Sequence, residues 1–215
     1  AWLPPARGSR QLWSASRLPM PVMFTQCRVP KAEMRDGVLR TVASVALVVV
    51  FLLFETLRSR ANGRALRARG AIEPTGDVYR AMFVAYPLAL LAPFASAIRS
   101  GPATAPVWAA GVVLFLAAKG LKFWAIGALG PRWTFRVLVV PGEPLVTSGP
   151  YQYLRHPNYL AVAGEIVGAA TMCAAPAIGA AALLGFGALM LRRIAIEERA
   201  LTSSSSRWIR PRGQS

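Results

Sequence analysis

Asn158-Tyr-Leu-Ala-Val-Ala-Gly-Glu165-Ile-Val-Gly-Ala-Ala-Thr-Met-Cys173-Ala-Ala-Pro176-Ala-Ile-Gly-Ala-Ala-Ala-Leu-Leu-Gly-Phe-Gly-Ala-Leu-Met-Leu191 is a run of 34 residues with a single charge, Glu165. As one straight helix it would measure about 51 Å at 1.5 Å per residue, far more than a hydrocarbon core of ~30 Å. Folding back near Cys173–Pro176 gives two arms of about 25 Å each from the same rise. A helical hairpin is therefore the reading that fits a bilayer. Its consequence is functional, because residues around His156 and residues Arg193 to Glu198 then emerge on one face of the membrane.

Two further apolar segments precede the hairpin. Ala81–Ile98 has 18 residues and Ser100–Ala118 has 19, neither with a charge, and each is about as long as a spanning helix requires. Pro87 and Pro93 should kink the first, which packed membrane helices tolerate. Only Arg99 and a Ser-Gly-Pro turn separate the two, so they pair as an antiparallel hairpin. Earlier, Thr41–Phe54 supplies 14 uncharged residues and just spans once Val38 and Leu39 are added and Arg40 snorkels. A long basic lead and the lack of a small-residue cleavage site argue against a signal peptide there. The predicted architecture is an all-α integral membrane bundle of about five transmembrane helices, near 38–57, 80–98, 102–124, 157–173 and 176–201.

Composition agrees. Of 215 residues 54% are hydrophobic and only 16% charged, and Lys plus Arg outnumber acids 25 to 9 for a net charge of +16. The basic residues lie between apolar runs, a pattern of membrane loops at an anionic surface rather than of nucleic-acid binding. Cys27 and Cys173 form no CxxC, so a zinc site is excluded and no metal is expected. A lone histidine, His156, excludes mechanisms needing two imidazoles. Segment 55–80 holds six basic residues, the turn at Arg99 one, 119–155 five and the C-terminal end six. The poorest loop should face outside, placing 55–80, 119–158 and 192–215 in the cytoplasm. Seven basic residues within 1–40 oppose that orientation, and a true start at Met34 would leave only Arg35 and Arg40. Residues 1–33 read as a disordered or extraneous extension, 34–201 as the membrane domain, and 202–215 as a disordered basic tail.

The polar stretch before the hairpin carries the chemistry. It runs Gly130-Pro-Arg-Trp-Thr-Phe-Arg136, then an extended Val137–Val140, then Pro141-Gly-Glu-Pro-Leu-Val-Thr-Ser-Gly-Pro-Tyr-Gln-Tyr-Leu-Arg-His-Pro-Asn-Tyr159. Pro157 suits a first helical turn, which puts His156 at the N-cap beside the helix's unsatisfied N–H groups. An anion such as an amino acid carboxylate is well received there. The same residues also make an ordinary interfacial loop with aromatics at headgroup level. Arg193 and Glu197, at i and i+4, read equally as a solvated intrahelical pair. Glu165 is costlier: a carboxylate in a membrane helix faces a polar cavity, or is paired with Arg155 or a neighbouring helix.

Gly149-Pro-Tyr-Gln-Tyr-Leu-Arg-His-Pro-Asn-Tyr159, followed 34 residues later by Arg193-Ile-Ala-Ile-Glu-Glu-Arg-Ala-Leu201, resembles the isoprenylcysteine carboxyl methyltransferase family of integral membrane enzymes. The ordered combination across an apolar hairpin is the specific signal. Arg132-Trp-Thr-Phe-Arg136 and the Pro-Gly-x-Pro-Leu-Val run are similar to the bacterial branch, some of whose members methylate long-chain alkylpyrones or alkylresorcinols rather than prenylated proteins. The resemblance implies S-adenosyl-L-methionine held at the cytosolic ends of the last helices, in a bacterial plasma membrane. It implies backbone contacts from Leu145 and Val146, closure by Tyr151, and a lining of His156, Pro157, Asn158 and Tyr159. Glu197, with Glu198 beside it, would hold the cofactor's ribose or amino group, and Arg193 would approach the acceptor. One departure stands out. The family continues after Leu201 with an aromatic-containing helix that closes the site, whereas here Thr202-Ser-Ser-Ser-Ser-Arg-Trp208 follows.

Elementary chemistry is compatible. No GxGxxG occurs, so the sheet-and-turn cofactor site of soluble methyltransferases is not expected. Methyl transfer from a sulfonium is an in-line displacement in which alignment is most of the protein's task. A carboxylate or acidic enol needs no base, and Arg193 or Arg155 would hold its oxyanion by a forked pair of hydrogen bonds. A phenol needs one, with Glu165 or His156 nearby. The lipid-like or prenylated acceptor enters sideways from the bilayer. Three alternatives compete: a phospholipid amine N-methyltransferase, an NADPH-dependent sterol or enone reductase, and a non-enzymatic membrane scaffold. The acceptor and the oligomeric state are not legible in the sequence.

Overall fold

The computed structural model describes residues 31–208. They form α1 (Lys31–Ala68), α2 (Tyr79–Ser100), α3 (Ala105–Leu129), short 3-10 turns at Gly130–Arg132 and Gly149–Gln152, α4 (Pro157–Met172) and α5 (Pro176–Trp208). The architecture is the all-α membrane bundle that the apolar pattern predicts. Four helices (α1, α2, α3 and α5) are long and apolar enough to cross a bilayer. α4, at 16 residues, reaches only about 24 Å and lies packed between α3 and α5.

Helix ends differ from the predicted bounds for a physical reason. α1 spans 38 residues where the apolar pattern suggested 38–57. The change from apolar to arginine-rich beyond Leu57 ends the apolar run, not the helix. The stop is Gly70, left-handed at φ +81. Its N–H reaches the Arg67 carbonyl at 3.0 Å while the Ala71 N–H reaches that of Leu66 at 3.0 Å, a glycine-closed C-cap. Similarly α5 continues through Trp208, across the serine run that reads as the start of a disordered tail. Lys31–Glu33, assigned by sequence to the N-terminal extension, begin α1. The rest of that extension, with Cys27, and residues 209–215 lie outside the described residues.

The long apolar run does fold back where the length argument requires. Ala175 N–H bonds the Ala170 carbonyl at 2.9 Å and Ala174 N–H that of Thr171 at 3.0 Å. This is the C-cap pattern that closes α1, but the left-handed position is occupied by Ala174 at φ +48. Pro176 then opens α5.

α4 can sit between its neighbours because its contact faces carry small residues. Gly164 and Gly168 are four apart, hence on one face, and both press on α3. A Cβ at Gly168 would lie 2.7 Å from the Phe115 nitrogen, and one at Gly111 would lie 2.4 Å from that of Met172. Opposite, Gly179 lets α5 approach Ala170, where a Cβ would come within 2.4 Å of the alanine methyl. The core between the helices contains Val48, Leu90, Phe94, Phe115, Ile166, Ala169, Met172, Phe186 and Met190. Val50, Leu57, Leu88, Val113, Leu184 and Leu191 point outward, as a lipid-facing surface should.

The left-handed alanine supplies a clean test. Ala174→Gly should stabilise the protein by roughly 1 kcal/mol, since only glycine adopts that conformation without steric cost. A higher thermal midpoint of the detergent-solubilised variant is the expected reading.

Candidate active site

Closing the hairpin brings the sequence's two polar clusters together. Pro157 opens α4 with His156 as its N-cap. Two helical turns of α5, Arg193 to Glu198, stand opposite. The Tyr159 hydroxyl donates to Glu197 Oε1 at 2.7 Å and accepts from Arg193 Nε at 3.0 Å. His156 Nε2 lies 3.4 Å from Glu198 Oε1. The lone imidazole and both acids thus share one mouth between α4 and α5.

Arg193 is the centre of this mouth and is only 4% exposed. Its Nε also reaches Glu197 at 3.2 Å and its Nη1 reaches Asp77 Oδ1 at 3.4 Å. The pair with Glu197 is therefore buried at its arginine end and half-buried at its carboxylate, not the fully solvated i,i+4 contact that spacing alone suggests. Nε and Nη1 are thus both engaged, while the residue also lines the cavity behind the mouth. Those two nitrogens hold the protein's own side chains in place.

Asp77 was not singled out by sequence reasoning. It lies in the loop between α1 and α2, caps α2 by accepting from the Tyr79 N–H at 3.1 Å, and accepts from the Val137 N–H at 3.2 Å. Its only sequence signal is that it is an acid in a stretch of arginines. The loop after α3 is fixed by similar ties. Asn62 Nδ2 donates to the carbonyls of Gly130 and Trp133 at 3.2 and 2.8 Å. Ser59 accepts from the Phe135 N–H at 2.8 Å. Val139, in the stretch read as extended, forms a single antiparallel bridge with Ile72. Arg132 donates to the Pro144 carbonyl at 2.7 Å and pairs with Glu143 at 2.9 Å, and Arg69 also pairs with Glu143. Leu145 and Val146 are thereby held at the rim.

Behind the mouth lies a cavity of about 710 Å³, within the range of small-molecule sites. Leu145, Val146, Tyr151, Arg155, His156, Asn158, Tyr159, Arg193, Glu197 and Glu198 all line it. Pro157 does not; it is buried as the first residue of α4. Arg155 reaches the rim with its side chain 87% exposed and 3.5 Å from Glu198, a solvated pair. Trp133 donates Nε1 to Asn158 Oδ1 at 3.4 Å and orients it. Burial first, and the Glu197 carboxylate second, raise the Tyr151 phenol above its ordinary range, so it stays a hydrogen-bond donor. Deeper in, the lining becomes apolar: Leu52, Met82, Phe83, Pro87, Val162 and Phe186.

Glu165 is not on that lining. Its carboxylate sits fully buried among α1, α2 and α3. Lys119 Nζ is 3.1 Å away and Lys122 Nζ 3.4 Å, and the Tyr86 hydroxyl donates to Oε2. Glu55, equally buried, pairs with Lys119 at 2.5 Å and Lys122 at 2.8 Å. Lys122 also donates to Tyr86 at 2.7 Å. Two carboxylates, two ammonium groups and one phenol thus form a closed neutral cluster. Tyr86 and Lys122 show their other sides to the cavity and separate Glu165 from it. The neighbouring-helix pairing is the alternative realised, through lysines rather than Arg155. Lys119 and Lys122, counted by sequence in the charge of the 119–155 segment though inside the predicted 102–124 helix, lie on α3 and contribute nothing to the surface.

Residues 111–203 match the Isoprenylcysteine carboxyl methyltransferase (ICMT) family. An uncharacterized protein of Bacillus subtilis, YpbQ, is 30% identical over 123 residues, covering 57% of this chain and 73% of that one. The chain belongs to the ICMT family. An uncharacterized protein of Haemophilus influenzae is 28% identical over 93 residues, 43% of this chain and 54% of its own length. No solved structure matches. The ICMT match contains the mouth of the hairpin but begins after Glu55, Asp77 and Tyr86, which complete the site from the N-terminal half.

The buried cluster makes a stability prediction. Lys122→Met leaves carboxylate charge uncompensated and should cost about 3–5 kcal/mol. Removing one charge of each sign, in Lys122→Met/Glu165→Gln, leaves the 2.5 Å Lys119–Glu55 pair intact and should recover most of that loss. Thermal midpoints of the two variants in detergent give the comparison.

Proposed function

We propose that this chain is an S-adenosyl-L-methionine-dependent O-methyltransferase that acts on a lipid-like acceptor from the cytoplasmic face of a bacterial plasma membrane. The observation that carries the reading is the meeting of the His156–Tyr159 motif with Glu197 and Glu198 across the hairpin, at the polar end of a largely apolar cavity. The donor set fits the cofactor. Glu197 and Glu198 suit its ammonium and ribose hydroxyls, Tyr151 and Asn158 offer neutral hydrogen bonds, and the rim at Leu145 and Val146 offers backbone. When bound, the cofactor supplies a sulfonium-activated methyl group.

The protein's own contribution is alignment and exclusion of water. Tyr159 and Arg193 fix Glu197 in one position. Arg193 Nη2 is the donor that meets the acceptor's oxygen, while the apolar depth lined by Met82, Phe83 and Phe186 takes its tail. An acceptor already ionised, such as the carboxylate of a prenylated cysteine or the acidic hydroxyl of an alkylpyrone, needs no base. For a phenol such as an alkylresorcinol, His156 is the base that faces the cavity, oriented by Glu198. We assign Glu165 to the ion cluster instead.

Membranes containing the protein, incubated with methyl-labelled cofactor, should yield a labelled lipid in the extract by mass spectrometry. Label on a lipid amine, with a rate rising steeply with pH, would indicate the phospholipid N-methyltransferase instead. Consumption of NADPH would indicate the reductase, and no ligand response to either cofactor the scaffold. Within the main reading, Glu197→Gln should weaken S-adenosylhomocysteine binding about tenfold or more, from loss of a charged hydrogen-bond acceptor. Titration calorimetry on the folded variant checks this, and unchanged affinity would remove Glu197 from the cofactor site.

A further inference from the structure

Next to the cavity is a second, of about 290 Å³, with an arginine-rich lining. Arg60, Arg64 and Arg67 stand at i, i+4 and i+7 on α1, hence on one face. Arg136 closes the opposite side, its guanidinium 4.1 Å from the centre of the Tyr79 ring. Ser59 and Thr134 are also on the lining. One carboxylate serves the group: Glu73 pairs with Arg67 at 2.7 Å and Arg136 at 2.6 Å. Among the described residues Arg60 and Arg64 form no ion pair, so the pocket holds an excess of three positive charges.

Like charges are gathered at such density only where an anion or open solvent offsets them. A concave arrangement of planar guanidinium groups matches the tetrahedral oxygens of a phosphate. Depth favours a lipid as the source. Arg60 and Arg64 lie about 5 and 11 Å along the helix axis beyond Leu57, an exposed lipid-facing residue of α1, at 1.5 Å per residue. The headgroup layer is ~5–8 Å thick on each side of the hydrocarbon core, and arginine stems reach back toward it. Tyr79, Thr134, Arg136 and Leu138 line both cavities, so the pocket opens on the same membrane side as the hairpin mouth.

We infer that this pocket binds a phosphate-ester anion, with the headgroup of an anionic phospholipid as the source its depth selects. The inference does not rest on methyl transfer. The test uses the full chain in a phosphate-free maltoside detergent. The thermal midpoint is followed against dioleoyl-phosphatidylglycerol and, separately, against inorganic phosphate at constant ionic strength. Phosphatidylglycerol should raise the midpoint saturably. Arg60→Gln/Arg64→Gln should weaken its apparent affinity about tenfold or more, from loss of two charge-assisted hydrogen bonds to the phosphate. Both side chains are exposed, so the fold should survive. Arg58→Gln/Arg80→Gln, exposed arginines outside the pocket, should change it less than twofold. The same saturable, Arg60- and Arg64-dependent rise with inorganic phosphate would support the site and make free phosphate the source. No shift with either probe, or equal weakening by both double variants, would overturn the proposal.

Discussion

Four opposite charges buried among four helices set the terms for the rest of this structure. An ionised side chain at membrane depth is costly unless partnered, and here each carboxylate finds both ammonium groups within 3.4 Å. α1 contributes Glu55, α3 the two lysines and α4 Glu165, with Tyr86 of α2 between them. No one of these helices can slide or rotate without exposing a charge to hydrocarbon. α5 has no charge in the cluster and is placed by packing instead, its Phe186 ring 5.7 Å from that of Tyr86. The cluster fixes register as much as it stabilises, and Tyr86 and Lys122 become the rigid inner wall of the cavity.

The mouth of the cavity follows a related logic at lower cost. Arg193 is held by Asp77, Tyr159 and Glu197, which come from the loop after α1, from α4 and from α5 itself. The guanidinium is therefore the point where the two halves of the chain meet on the polar side. Asp77 also accepts from the backbone of Val137, so the loop that carries Leu145 and Val146 is tied to the same anchor.

Much of this was legible in the sequence because it depends on length and on apolar continuity. A 34-residue greasy run has to turn back in a ~30 Å core, and that requirement alone brings His156 toward Glu198. What was not legible depends on partners far apart in the chain. Glu165 announced that it was costly but not which neighbours offset it. Lys119 and Lys122 are three apart and entered the charge count of the cytoplasmic segment, although the same spacing points both along one helical face. Asp77 and Glu55 are isolated acids in an arginine-rich stretch, with no spacing that singles them out. The length of α1 was missed because hydropathy reports the solvent around a helix, not the helix itself. Gly164 and Gly168 carried a readable spacing, but its meaning required knowing that α3 lies against it.

The neutral cluster also has a history, since its charges leave the ribosome at different times. Glu55 emerges 64 residues before Lys119 and 67 before Lys122. Over that interval Glu55 exists without either of the ammonium partners it has in the folded bundle. Arrival of the two lysines overshoots to a net positive charge, and only Glu165, 43 residues after Lys122, restores balance. Charge balance in the cluster is thus complete only once the fourth helix, the one that begins the hairpin, has been made.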